Sequence, residues 1–176
     1  MTPLDRLLLV RQGGHVERSH TTPHHGSYTV ASHSWGVAQI ILTFHPLPTI
    51  ELVRAALNHD VHERWIGDLP GQVIWENDEL RDLLKELEAG VNAKLGISAP
   101  ASREDVTWLY IADKIDLLLW AFDQVDLGNK SAERFVERLK IRFRDLAKHI
   151  PKPLETLLAD LFERRDRGWT RDSDLP

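Results

Sequence analysis

Cysteine is absent from the chain. Its absence excludes disulfides, thiolate catalysis, zinc fingers and iron–sulfur clusters together. Long apolar runs are missing as well. No stretch approaches the ~18 apolar residues that a membrane span needs, and Leu7 to Val10 is too short a run for a secretory signal. Nor is there a surplus of positive charge. The formal net charge of −5 argues against broad or stable nucleic-acid binding. It still admits a small anionic substrate, because a metal ion and a few local cations override a modest global charge. Strand-like alternation, internal repeats and low-complexity segments are lacking too. These absences lead to the expectation of a soluble, cytoplasmic protein with no membrane association.

What is present is ample material for one core. The 176 residues are 42% hydrophobic, so a single domain over residues 1–176 is expected. Apolar residues recur at helical spacing through most of the chain. A short helix covers Leu4 to Val10, and a second runs from Ser32 to about Phe44, with Val37, Ile40, Ile41 and Phe44 on one face. Thr49 caps a third, which carries His59-Asp60 at its end. Further helices are expected over Asp78–Leu95, from Ser102 to about Leu127, over Lys130–Ile150 and over Leu154–Arg167. Residues 15 to 30 and the segment Gly67-Asp68-Leu69-Pro70-Gly71 read as loops. The fold class is therefore all-α, a bundle of six or seven helices. The run from Arg164 to Asp174, with Trp169, is expected to be a partly ordered tail.

Nine histidines is a high number for this length, and five of them fall between His15 and His33. The cluster suits a polar loop, or the lip of a site. Four residues stand out: His33, the adjacent pair His59-Asp60, and Asp113. Each lies in an apolar stretch that reads as buried helix. Imidazole and carboxylate groups are costly to bury alone. One divalent metal ion would satisfy all four. Two imidazoles and two carboxylates, with no sulfur, suit Mn²⁺, Fe²⁺, Co²⁺, Ni²⁺, Zn²⁺ or Mg²⁺. Such an ion lowers the pKa of bound water toward ~7 and polarises phosphoryl oxygens, as phosphoester hydrolysis requires.

The series His33, then Ala55-Ala56-Leu57-Asn58-His59-Asp60, then Ala112-Asp113 resembles the signature of HD-domain phosphohydrolases. The stretch His59-Asp60-Val61-His62-Glu63 through Gly67-Asp68-Leu69-Pro70 is similar to that of the bacterial 5′-deoxynucleotidases. It also resembles small phage enzymes of this family that hydrolyse deoxynucleoside triphosphates such as dATP. The likeness covers roughly residues 5 to 125, and the helices over residues 130–168 match only as generic helix. The resemblance implies an HD-domain helical bundle with one metal ion held by His33, His59, Asp60 and Asp113. It implies a catalytic role for Glu63, positioning water or protonating the leaving oxygen, and one for Asp68, orienting the attacking water. Arg18 matches a substrate-contacting arginine. Lys114 is placed either to reach a substrate phosphate or to pair with a nearby acid. The implied substrate is a deoxynucleotide, as monophosphate or triphosphate, with dATP the first to consider. A homo-oligomer is implied as well, and the host cytoplasm if the chain is phage-encoded.

Two other readings stay open on the residues. One is an HD hydrolase of cyclic dinucleotides or of ppGpp, and the other a non-catalytic helical module that keeps its metal for structure. The chain also departs from the bacterial pattern. Ser19-His20 follows Arg18 where those enzymes carry a tryptophan, and Val73-Ile74-Trp75 occupies the region of a loop lysine. Trp108 and Trp120 are expected in the core, and Trp35, Trp65 and Trp75 are candidates to stack on a base. His62, beside Glu63, is either a proton carrier or a helix-surface residue.

Overall fold

The computed structural model describes residues 1–168, except for the side chains of Gln72 and Trp75. Seven helices of nine residues or more build the bundle: α1 (Pro3–Gly13), α2 (Val30–Phe44), α3 (Ile50–Asn58), α6 (Asp78–Leu95), α7 (Arg103–Asp126), α8 (Glu133–Leu146) and α9 (Lys152–Asp166). Two short ones, α4 (Glu63–Ile66) and α5 (Gly71–Trp75), lie between α3 and α6. Among the described residues the β structure amounts to one isolated bridge between Glu17 and Thr29.

Local sequence sets the helix starts. Thr2, Thr29, Thr49, Asn77 and Ser102 each accept a backbone N–H from the first turn of the helix they precede. Each such bond satisfies a donor that the helix itself leaves unpaired. Gly96, in the left-handed region at φ 64°, closes α6. The expected helix over Lys130–Ile150 is shorter than the pattern suggests. Asn129 accepts from Ser131 N–H and tightens Lys130–Ala132 into a 3₁₀ turn before α8 begins. A second such turn, Ala147–His149, follows it.

The longest helix, α7, is the hub. It packs against α2 on one side and α8 and α9 on the other, while α3 lies against α2. Ile41, Leu52, Ile115 and Leu118 are withdrawn from water in the shared core. Each such side chain contributes about 1.5–3 kcal/mol by burial. Trp108 and Trp120 are buried there as expected. Trp35 and Trp65 are exposed, and Trp169 lies outside the described residues. No described helix is long and apolar enough to cross a membrane.

Candidate metal centre and active site

His33 enters on the first turn of α2 and is fully buried. Its Nδ1 lies 2.7 Å from Asp116 Oδ2 on α7. An N–H there donates to the carboxylate, which leaves the Nε2 lone pair pointing the other way. His59 stands at the C-terminal cap of α3, one residue past the helix rather than inside it. Its Nδ1 is 2.8 Å from the carbonyl of Ala56. A carbonyl only accepts, so this ring also carries its proton on Nδ1. The two Nε2 atoms then face each other 3.2 Å apart, so the place between them suits a single cation, a proton or a metal ion. Asp60 adds Oδ2 at 3.2 Å from His59 Nε2 and 3.6 Å from His33 Nε2. Asp113 adds Oδ1 at 3.3 Å from His33 Nε2.

A cation resolves this arrangement. One donor atom each from His33, His59 and Asp60 lies within 4.8 Å of the other two. Asp113 brings a further oxygen to 3.3 Å from the same His33 Nε2. Two imidazoles and two carboxylates form a hard-to-borderline set that fits a divalent metal ion.

Charge is concentrated here. Burial raises the carboxyl of Asp60, but the charges of His59 and Arg18 outweigh it and hold Asp60 well below the usual range. Asp113 follows the same pattern: burial raises it, and Lys114 and His33 outweigh that and lower it. Burial works against charge on His59 too, and the carboxylates of Asp60 and Asp113 reverse it, lifting the imidazole to about 9. A metal ion at this place therefore competes with a proton. Glu63 behaves differently. Burial and then the Asp60 charge push its carboxyl up to about 8, against the pull of Arg18. Two carboxylates are thus held ionised next to one held protonated, a division that suits acid chemistry.

Arg18 reaches the centre from the loop between α1 and α2. Its Nη1 pairs with Asp60 Oδ2 and lies 3.3 Å from Glu63 Oε1. The loop is held in shape by its own contacts. Arg18 N–H donates to the Tyr28 carbonyl at 2.7 Å, and Glu17 accepts from Tyr28 N–H and Ser27 Oγ. Gln124 of α7 clamps the backbone of His25 on both sides, which pins the loop to the core helix. Arg18 Nε and Glu63 Oε2 are buried without a hydrogen-bond partner. Ser19 takes a left-handed conformation at φ 54°. That turn aims its N–H at Asp68 Oδ2, 2.7 Å away, and so fixes the carboxylate beside the site. A cavity of about 190 Å³ opens next to Glu63, walled by His62, Ile66 and Leu69 on one side and Arg81, Leu84 and Lys85 of α6 on the other.

The metal, catalytic and substrate residues expected from the sequence lie in this region. His33, His59 and Asp60 converge on one point, Asp113 lies beside it at 3.3 Å from His33 Nε2, and Arg18 and Glu63 pack against Asp60. Asp68 lies on the rim. Lys114 is committed: its ammonium is 2.7 Å from Asp113 Oδ2 and 5.4 Å from the Tyr110 ring centre. His62 hydrogen-bonds the His59 carbonyl at 3.0 Å and lines the cavity. His24 packs edge-on against Trp120 rather than near the centre. Sequence reasoning missed Asp116 and the hydroxyl contact that Tyr28 makes with it. The available signal was spacing, since Asp116 lies one helical turn past Asp113 and shares its face.

Comparison with known proteins agrees with this picture. Residues 8–105 match the family model "5′-deoxynucleotidase YfbR-like". The match spans more than half of the chain, which therefore belongs to the YfbR-like 5′-deoxynucleotidase family. Among curated protein sequences none matches significantly. Several solved structures share the fold. An HD-domain phosphohydrolase from Listeria innocua superposes with a TM-score of 0.73 at 21% identity, covering 93% of this chain and 89% of its own. The HD phosphohydrolase DatZ of cyanophage S-2L, bound to dA and one catalytic Zn²⁺ ion, gives 0.66 at 20% identity over 96% and 98%. The PH0347 protein from Pyrococcus horikoshii gives 0.65 at 24% identity over 87% and 96%.

Proposed function

We propose that this member of the YfbR-like family is a metal-dependent phosphohydrolase of deoxynucleotides, cleaving the ester at the 5′ carbon. The products are a free deoxynucleoside and phosphate or polyphosphate. The observation that carries the reading is the convergence of His33 and His59 Nε2 with Asp60 and Asp113, backed by the Arg18–Glu63 pair.

In this reading His33, His59, Asp60 and Asp113 hold one divalent ion, of the Co, Mn, Zn, Fe, Ni or Mg group. When bound, that ion supplies hydroxide from water near neutral pH and polarises a phosphoryl oxygen. The protein's own groups do the rest. Arg18 turns its planar fork to the substrate phosphate, where two parallel N–H bonds match two oxygens. Asp68, steadied by the Ser19 N–H, orients the attacking water. Glu63, protonated by its buried setting, gives its proton to the departing 5′ oxygen. Lys114 acts by keeping Asp113 ionised, and through it meets substrate only indirectly.

Support for a deoxynucleotide comes from the family match and from the cyanophage relative bound to dA. The cytoplasm, where nucleotide pools reside, is the inferred location. Self-association belongs to the same proposal: Leu4 and Leu7 on α1 and Leu83 and Leu87 on α6 are exposed, and light scattering reads the assembly size. The test of function is a substrate panel with Mn²⁺ or Co²⁺: four dNTPs, their monophosphates, ATP, ppGpp and a cyclic dinucleotide. Turnover of deoxynucleotides supports the reading. Turnover of ppGpp or the cyclic dinucleotide alone overturns it.

A further inference from the structure

Asp116 ties α7 to the start of α2 and to the loop residue just before it. One oxygen, Oδ2, lies 2.7 Å from His33 Nδ1 and 2.9 Å from the Tyr28 hydroxyl. The Tyr28 ring is buried and stacks on Trp120, one turn farther along α7, with ring centres 4.9 Å apart and planes 13° from parallel. The other oxygen, Oδ1, faces Gly36 in the middle of α2. A Cβ at that glycine would stand 1.9 Å from Oδ1 and 2.8 Å from Cγ. Glycine in a helix interior costs about 0.5–1 kcal/mol relative to alanine. Its position here is accounted for by the carboxylate that needs the space.

His33 has no exposed surface, so water does not satisfy its Nδ1–H. Asp116 does. In accepting that proton's hydrogen bond it fixes both the tautomer and the plane of the ring. The lone pair of Nε2 is thereby directed at His59, Asp60 and Asp113. Tyr28, which donates to the same oxygen, keeps the carboxylate from turning away. Without Asp116 the Nδ1 is left with the Tyr28 hydroxyl, 3.1 Å away, which donates as readily as it accepts and so no longer holds the ring to a lone pair at Nε2.

We propose that Asp116 is the positioning residue of the metal centre, seated by Tyr28 and by the gap at Gly36. The proposal rests on the metal-binding reading above and names residues outside the metal's donor set. Outer partners of this kind change metal affinity or activity by about 10–100-fold.

The test is titration calorimetry of the full-length, metal-free protein with Mn²⁺ and Co²⁺, alongside the Co²⁺ absorption spectrum and the unfolding temperature. Asp116→Asn keeps the shape and is expected to weaken metal binding at least tenfold and shift the Co²⁺ bands while the protein stays folded. Gly36→Ala displaces the carboxylate and is expected to match it. The double variant is expected to bind no worse than either single one, because both act through one contact. Tyr28→Phe, which keeps the His33–Asp116 bond, is expected to lose less. Excess metal should restore turnover in Asp116→Asn. Wild-type affinity and spectrum in folded Asp116→Asn overturns the proposal. So does a double variant whose losses simply add. Should Gly36→Ala not fold, Asp116→Asn and Tyr28→Phe decide. These measurements use no substrate except for the rescue, so a protein that binds metal as described but hydrolyses no deoxynucleotide refutes the function and leaves this inference standing.

Discussion

The Nε2 atoms of His33 and His59 stand 3.2 Å apart, each ring with its other nitrogen satisfied from outside the pair. Two lone pairs at that separation repel unless a positive charge lies between them. In the metal-free protein a proton on His59 fills that place, and a metal ion displaces it to bind the same donors. A metal at 100 times its dissociation constant adds about 2.7 kcal/mol to the native state. For a chain of this size, 1 kcal/mol corresponds to roughly 2–4 °C. Mn²⁺ or Co²⁺ is therefore expected to raise the unfolding temperature by roughly 5–10 °C. His59→Ala should abolish the rise, as read by scanning calorimetry with and without chelator.

Glu63 makes the metal-free protein sensitive to pH in an unusual direction. Its carboxyl titrates near 8 when folded and near an ordinary carboxylate value when unfolded. Between those values the folded state holds a proton that the unfolded state has released. Stability therefore falls as pH rises through this window and levels off above about 8. Glu63→Gln removes the proton exchange. It is expected to be more stable than wild type at pH 9, to resemble wild type at pH 5, and to lose turnover. Denaturant melts at the two pH values check the first two outcomes.

Arg18 offsets the buried Asp60 charge and also contacts Glu63, so its two roles separate by substitution. Arg18→Met leaves the buried Asp60 carboxylate without its arginine partner. Removing one partner of a buried ion pair costs about 3–5 kcal/mol, and a matching fall in metal-free stability is expected. Arg18→Lys keeps the charge but loses the two-pronged fork. It is expected to stay folded while KM for the deoxynucleotide rises about tenfold. Steady-state kinetics beside thermal unfolding separates the two effects.

Much of the fold was legible. Thr49 and the spacing of apolar residues mark the long helices, and a bundle of seven long helices among the described residues follows. The short α5 was not legible, because its five residues follow a Gly-Asp-Leu-Pro turn and give no full period. The break before α8 depends on an Asn129 side-chain bond that periodicity does not register. In the site, His59-Asp60 was conspicuous because two polar groups interrupt an apolar face. Asp116 was not, because a carboxylate one turn past another is common on any amphipathic helix. Its meaning lies in a contact 83 residues away, to His33. Gly36 was silent for the same reason: only its distance to Asp116 explains it.

Ser19 offers a clean separation of strain from chemistry. A non-glycine residue in the left-handed region costs about 1 kcal/mol or more. Ser19→Gly keeps the backbone N–H that Asp68 accepts. It is expected to raise the unfolding temperature by a few degrees with kcat unchanged. Asp68→Ala, which removes the acceptor, is expected to lower kcat at least tenfold with stability little affected. The pair of variants, assayed together, shows whether the turn serves the carboxylate.

The central claim is that one metal at His33, His59, Asp60 and Asp113 drives hydrolysis of a deoxynucleotide at its 5′ ester. The most direct measurement separates products chromatographically from Mn²⁺- or Co²⁺-loaded protein incubated with dATP and dAMP, with wild type beside Asp60→Asn and beside wild type in excess chelator. The account predicts free deoxyadenosine from at least one of the two substrates with loaded wild type, and none from the variant or the chelated protein. Deoxyadenosine released equally by all three, or by none while other deoxynucleotides also stay intact, contradicts it.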